Sequence, residues 1–270
     1  MLKFISFNSG SCGNCYFLFT ENDGLMIDVG ISMRRLKQHF REYGLKLSQI
    51  KHVIVTHDHA DHVKSVGNLS RDCDVNVYAT RAVHGGIVQN RCVHRKIDWQ
   101  YVKYINKGET FTLGEFEITS FDVPHDSAEN VGYQIKCQGQ IFSVITDIGH
   151  VTDDIRRAVN HANYLVLESN HDVDKLLHES GYPRFLIERI IDHNRGHLSN
   201  VECGKVLAEN ASMALKHVWL CHLSGNSNDT ETARRTVEQI LREHDIQPGE
   251  DFKLDVLERN VVSGFFDLLP

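Results

Sequence analysis

The chain has 270 residues, 41% hydrophobic and 24% charged, with 19 glycines, 4 prolines and 7 cysteines. That composition excludes a disordered chain, a collagen-like fibre and a disulfide-stapled miniprotein. The net charge of −7, from 29 Lys+Arg against 36 Asp+Glu, excludes a general nucleic-acid coat, which needs a clear basic surplus. It leaves room for a polyanionic substrate at a metal site, where bound cations set the local field.

At this length a layered α/β fold often fills one unit, so residues 1–270 are expected to form a single domain. No apolar run approaches the roughly 20 residues of a membrane span, and the opening MLKFISFNSG alternates like a strand, unlike a signal peptide. An odd, scattered set of cysteines suits a reducing compartment. A cytoplasmic protein without membrane contact is the expectation.

In chain order, residues 3–8, 16–20 and 25–29 read as strands, the last two joined by the turn signal Glu21-Asn-Asp-Gly24. Residues 32–43 read as an amphipathic helix ended by Gly44. HVIVT (52–56) and 75–79 are short strands, and 81–89 a helix. A second run of strands covers 117–123, 131–137 and 141–146, with Gln138-Gly-Gln140 as a turn. Then come a helix at 153–160, a strand at 164–168, two helical stretches between 173 and 192, a helix at 200–213, a strand at 218–221 and a helix at 230–244. Strands mixed with helices in two successive halves predict two sheets packed face to face with helices outside, an αββα sandwich.

The decisive segment is Thr56-His-Asp-His-Ala-Asp-His62, directly behind the buried strand HVIVT. In extended chain, residues two apart point the same way, so His57 and His59 project together. A helical turn next would swing Asp61 and His62 back to the same point. Three imidazoles and a carboxylate suit a borderline divalent cation, and more than one cation can be served. Further ligands must come from other strand ends. His125, Asp147 and His222 each follow an apolar run, repeating one syntax of strand then ligand. Each alone would more often be a core or turn residue; together with the first cluster they read as a metal centre.

These motifs resemble the ordered motifs of the metallo-β-lactamase fold, with Asp28 in LMIDVG similar to that fold's supporting aspartate. SFNSGSCGNCYFL, THDHADH, DVPHDSAENVGY, ESNHD, RGHLSN and CHLSGNSND resemble the YycJ/WalJ branch, whose members the resemblance implies to be DNA exonucleases. It further implies that His57, His59 and His125 bind one metal, that Asp61, His62 and His222 bind a second, and that Asp147 bridges. Asp61 and His197 are the implied catalytic residues. Two such cations, Zn²⁺ by the histidines or Mn²⁺ by the carboxylates, would activate water against a phosphodiester. The implied partner is double-stranded DNA at its ends, cut 5′ to 3′. The alternative is a small-molecule or cyclic-nucleotide phosphodiesterase, and the oligomeric state is left open.

His197, in Arg195-Gly-His-Leu-Ser199, is the candidate acid for the leaving oxygen. It resembles the histidine of the HST motif in tRNA-processing nucleases, with Leu198 interposed. Its plainer reading is a residue beside a helix cap at Ser199 or Asn200. Metal-bound histidines usually donate their other N–H to an acceptor, and Asp28, Asp58 and Glu168 are available. Ser9, Ser11 and Asn14, in a small-residue turn whose N–H groups could cradle a phosphate, are expected to meet substrate, with Ser224; His171 is a candidate either to meet substrate or to support a ligand from behind. Cys12 and Cys15 have redox spacing but no thioredoxin-like surroundings, which favours a structural role.

Overall fold

The computed structural model describes residues 1–269. Its first sheet carries β1 (Leu2–Asn8), β2 (Cys15–Phe19), β3 (Gly24–Ile27), β4 (His52–Ile54), β5 (Val77–Ala79) and β6 (Val102–Tyr104) side by side in chain order. The second carries β7 (Thr110–Leu113), β8 (Phe116–Asp122), β9 (Val131–Cys137), β10 (Gln140–Ile145), β11 (Tyr164–Glu168), β12 (His217–Cys221) and β13 (Lys253–Val256), also in sequential order. A last strand, β14 (Phe266–Leu268), returns to the free side of β1.

Each sheet begins as antiparallel hairpins and ends as parallel crossovers. β1 to β3 pair antiparallel and β3 to β6 parallel. β7 to β10 pair antiparallel and β10 to β13 parallel. Between β9 and β10 the turn is the two residues Gln138 and Gly139, both at positive φ, which matches the strand twist.

Most central strands are apolar on both faces because both are covered. Along β12, Trp219 and Cys221 enter the layer between the sheets, while Val218 and Leu220 face the helices. In that central layer Phe4, Tyr16, Leu25 and Ile54 of the first sheet meet Phe116, Tyr133, Phe142 and Trp219 of the second. The helices α1 (Met33–Glu42), α2 (Ala60–Val63), α3 (Val66–Cys73) and α4 (Arg81–Gln89) follow strands of the first sheet. Leu36, Phe40, Leu69 and Val83 from them seal its outer face. On the second sheet lie α5 (Asp153–His161), α7 (Asn200–Asn210) and α8 (Thr230–Glu243), after the first of which comes the short α6 (Arg184–Ile190). The αββα order expected from the sequence is the one observed.

Three details differ from expectation. β6, β7, β13 and β14 were not foreseen, and they are the four edge strands. The helix α3 was not foreseen either. The helix expected over 200–213 ends at Asn210.

Candidate metal centre

The parallel halves of the two sheets direct their C-terminal strand ends toward one crevice, the place where open α/β sheets bind ligands. Asp28 follows β3, His57 follows β4, Asp147 follows β10, Glu168 ends β11 and His222 follows β12. Asp28, Asp147 and His222 turn sharply there, with left-handed backbone at φ 58°, 57° and 56°. Such conformations cost energy outside glycine and gather at functional sites.

The side chains converge. Ligand atoms of His57, His59 and His125 lie within 4.8 Å of one another, as do those of His57, His62 and Asp147, and those of Asp61, His62 and His222. Asp147 stands between these groups: its Oδ2 is 3.2 Å from His62 Nε2 and its Oδ1 3.6 Å from His125 Nε2. Nε2 of His57 and Nε2 of His125 are buried without a hydrogen-bond partner. Two orphaned imidazole nitrogens beside two carboxylates form a donor set that fits a borderline divalent cation.

Outer contacts fix the ring orientations. Asp28 accepts from His62 Nδ1 (2.7 Å), Thr56 N and Thr56 Oγ1 (both 2.8 Å). Glu168, fully buried, accepts from His222 Nδ1 (2.9 Å) and His197 Nδ1 (2.8 Å), and its other oxygen from Ile148 N and Leu198 N. His125 Nδ1 donates to Gly196 O (3.0 Å). These bonds leave Nε2 of His62, His125 and His222 for the centre.

The electrostatics divide the histidines. Burial, then the neighbouring imidazoles, hold His57 well below the usual imidazole range, and burial lowers His125 as well. Both keep a lone pair to offer. At His62 and His222 burial pulls the same way, but Asp147 with Asp28, Asp61 or Glu168 outweighs it; His62 rises well above the usual range and His222 to about 10. The carboxylates thus demand positive charge, which protons answer when no cation does.

Among the remaining predicted residues, His197 lines a cavity of about 200 Å³ with His222, Tyr182, Ser11 and Ser224. Its Nδ1 is spent on Glu168, so Nε2 is the free ring nitrogen. The capping role falls to Ser199, in a capping box with Glu202. Asn14 is buried, with Nδ2 2.8 Å from His62 Nε2 and 3.3 Å from Asp61 Oδ2.

Two expectations need correction, those for Ser9 and Asp58. Ser9 is buried, and its Oγ accepts from the backbone N–H of His222 (2.9 Å), so it braces a left-handed residue instead of meeting substrate. His171 is as buried as His222, its Nδ1 has no hydrogen-bond partner and its carbonyl accepts from Asn200 N. Asp58 was expected to orient an imidazole. Its Oδ1 instead accepts from Ala128 N (2.9 Å), and its carboxylate packs on Gly86, where a Cβ would come within 2.2 Å. The partner of His59 Nε2 is the carbonyl of Asp126 (3.2 Å), whose carboxylate also pairs with Arg189 (2.6 Å). Asp126 directly follows His125, and that adjacency was the only signal available.

This crevice on this sandwich defines a class. The family model of the beta-lactamase superfamily domain matches residues 25–223, and the chain belongs to that family. Exodeoxyribonuclease YycJ of Bacillus anthracis is 32% identical to it over 253 residues, covering 94% of each chain. Exodeoxyribonuclease WalJ of Streptococcus pneumoniae is 30% identical over 252 residues, covering 93% of each. Among solved structures, Zn²⁺-bound PqqB from Methylobacterium extorquens superposes with a TM-score of 0.73 at 16% identity, over 98% of this chain and 100% of that one. The metallo-beta-lactamase fold protein YhfI from Bacillus subtilis does so at 0.70 and 16%, over 97% and 99%. At such identities the likeness bears on the fold alone. No helix among the described residues is long and apolar enough to cross a membrane.

Proposed function

We propose that this chain is a metal-dependent exodeoxyribonuclease, cutting double-stranded DNA from its ends in the 5′-to-3′ direction. Similarity to YycJ and WalJ over nearly the whole length of both chains supports the substrate class. The observation that carries the chemistry is the pair of ligand groups meeting at Asp147 beside His197. His57, His59 and His125 would hold one divalent cation and Asp61, His62 and His222 another, zinc or manganese, with Asp147 shared. Such cations, when bound, supply Lewis acidity and a water acidic enough to attack at neutral pH.

The chain's own residues do the rest. Asp28 and Glu168 hold His62 and His222 in the rotamer and tautomer that present Nε2 inward. Glu168 also holds His197 with Nδ1 protonated, so that Nε2 faces the cavity as the site of proton delivery to the leaving oxygen. The second sheet's β11 thereby couples ligand positioning to acid catalysis through one carboxylate.

The test is to incubate the metal-loaded protein with 5′- and 3′-end-labelled duplex DNA and, separately, with bis(p-nitrophenyl) phosphate. Processive loss of the 5′ label as mononucleotides is the expected outcome. Turnover of the small ester without DNA degradation overturns the nuclease reading in favour of a small-molecule phosphodiesterase.

A further inference from the structure

A second cavity, of about 390 Å³, opens beside Asp61 on the side of the first sheet. Asp61, Lys64, Arg91 and His94 line it, together with the exposed thiols Cys12 and Cys92. Its volume lies within the range of small-ligand sites. The charges around the crevice are not equivalent. Arg189 is neutralised by Asp126 (2.6 Å) and Arg195 by Asp192 (2.7 Å). Lys64 and Arg91 are exposed and make no ion pair or side-chain hydrogen bond among the described residues. The one carboxylate on this cavity wall is Asp61, which a metal ion would claim.

Both free cations are tied to the metal-binding loop. Lys64 caps α2 one turn after Asp61, its N–H donating to Ala60 O (3.0 Å). Arg91 lies on the segment after α4, which is fastened at both ends. Asn90 Nδ2 donates to the carbonyl of Asp58 (2.7 Å), between the ligands His57 and His59. Lys96 Nζ donates to the carbonyls of Ile87 and Asn90, and Val93 is sunk into the core behind the first sheet. The backbone carrying this unanswered pair of positive charges is thus fastened next to a metal ligand. Solvation alone does not call for such fastening.

We infer that this cavity is a phosphate subsite, in which Lys64 and Arg91 hold a backbone phosphate of the DNA strand adjacent to the linkage being cut. The inference rests on the nuclease reading and adds a location to it. It makes the enzyme one that grips a polynucleotide beyond the scissile bond. A mononucleotide ester would leave these cations idle.

Cys12 and Cys92 make the cavity directly observable, with Cys73 on α3 as an internal reference outside it. The holoprotein is treated with N-ethylmaleimide, with and without a blunt duplex whose terminal linkages are phosphorothioates, and each thiol is followed by mass spectrometry. Binding of the duplex is read in parallel by fluorescence anisotropy. Bound duplex is expected to slow alkylation of Cys12 and Cys92 several-fold and to leave Cys73 unchanged. Lys64→Ala/Arg91→Ala should bind the duplex at least tenfold more weakly at about 0.15 M salt, with metal content retained. Its plot of log affinity against log salt should be shallower by about 0.9, since each phosphate that is no longer neutralised removes about that much from the slope. Duplex that binds while both thiols react at their free rate overturns the subsite and leaves the nuclease reading standing. A wild-type protein that neither binds nor degrades duplex overturns both. The thiol footprint uses the unaltered chain, so a poorly folded double variant does not blunt the test.

Discussion

Replacing Glu168 by glutamine keeps the side chain's volume and removes its charge. The native carboxylate accepts four hydrogen bonds, from His197 Nδ1 (2.8 Å), His222 Nδ1 (2.9 Å), Ile148 N (2.6 Å) and Leu198 N (3.1 Å). An amide offers one accepting oxygen and one NH₂ group, so whichever way it turns, two of those donors face hydrogens. Hydrogen bonds to a charged partner are worth about 1.5–3 kcal/mol each. Losing two costs about 3–6 kcal/mol, which overlaps the roughly 3–5 kcal/mol found for breaking buried ion pairs. The acidity of the group gives a similar figure. Burial opposes its ionisation, but His197 and His222 hold the carboxyl down at about 2, against an ordinary 4.5; at 1.36 kcal/mol per pH unit that is about 3 kcal/mol. Because the folded-state pKa is depressed, this stability is fully present above pH 4.5 and is lost as pH falls toward 2. Glu168→Gln is therefore expected to unfold in urea about 3–5 kcal/mol earlier than the parent at neutral pH, both stripped of metal, with the gap narrowing toward pH 3. Its zinc affinity in a chelator competition should fall about 10- to 100-fold through the loosened His222. A variant within about 0.5 kcal/mol of the parent at neutral pH, the scatter of ordinary surface changes, and with undiminished zinc affinity, would refute the argument.

Other expectations are sharper in one readout each. His197→Ala should keep its metal and slow single-turnover cleavage of end-labelled duplex about 100- to 10,000-fold; equal rates would return His197 to a packing role. A Cβ at Gly30 would sit 1.6 Å from the carbonyl of Asp61 and 2.6 Å from Asn14 N. Gly30→Ala should therefore cost about 3 kcal/mol or more and displace Asp61, as read from denaturation midpoints with and without zinc. At His171 burial holds the imidazole down at about 4, against an ordinary 6.5. A base so depressed leaves stability intact above pH 6.5 and erodes it by up to about 3 kcal/mol as pH falls toward 4. His171→Leu lacks that slope, so the stability difference should move in its favour between pH 7 and pH 4; parallel pH profiles would contradict this.

What was legible in the chain follows from where the information sits. Strands buried on both faces, such as CYFLF, YLVLE and HVWLC, announce themselves as apolar runs, and a polar residue of ligating type directly behind such a run stands out. The four edge strands are hydrogen-bonded on one side only and are partly wet, as TFTL and VKY show. Nothing in their composition separates them from loop. The same reasoning explains the errors at the site. Ser9 carries the right chemistry, but burial is a property of the assembled layers that a turn sequence does not encode. Asp58 was plausible as the acceptor for an imidazole because it lies between two of them in sequence. In extended chain that very position turns it to the opposite side, toward Gly86 and Ala128.

The left-handed backbone at Asp28, Asp147 and His222 limits how this centre can change. Among non-glycine residues, asparagine, aspartate and histidine enter that conformation most readily, and β-branched or bulky side chains do so at a penalty. Substituting cysteine or glutamate at Asp147 or His222 to attract a softer or harder ion would therefore contend with the main chain before any coordination chemistry began. His57, His59, Asp61, His62 and His125 carry no such constraint, since none of them has positive φ. Retuning of metal preference, by selection or by design, is accordingly channelled into the segment from His57 to His62 and into His125 beyond β8, while the sockets behind β10 and β12 stay as they are.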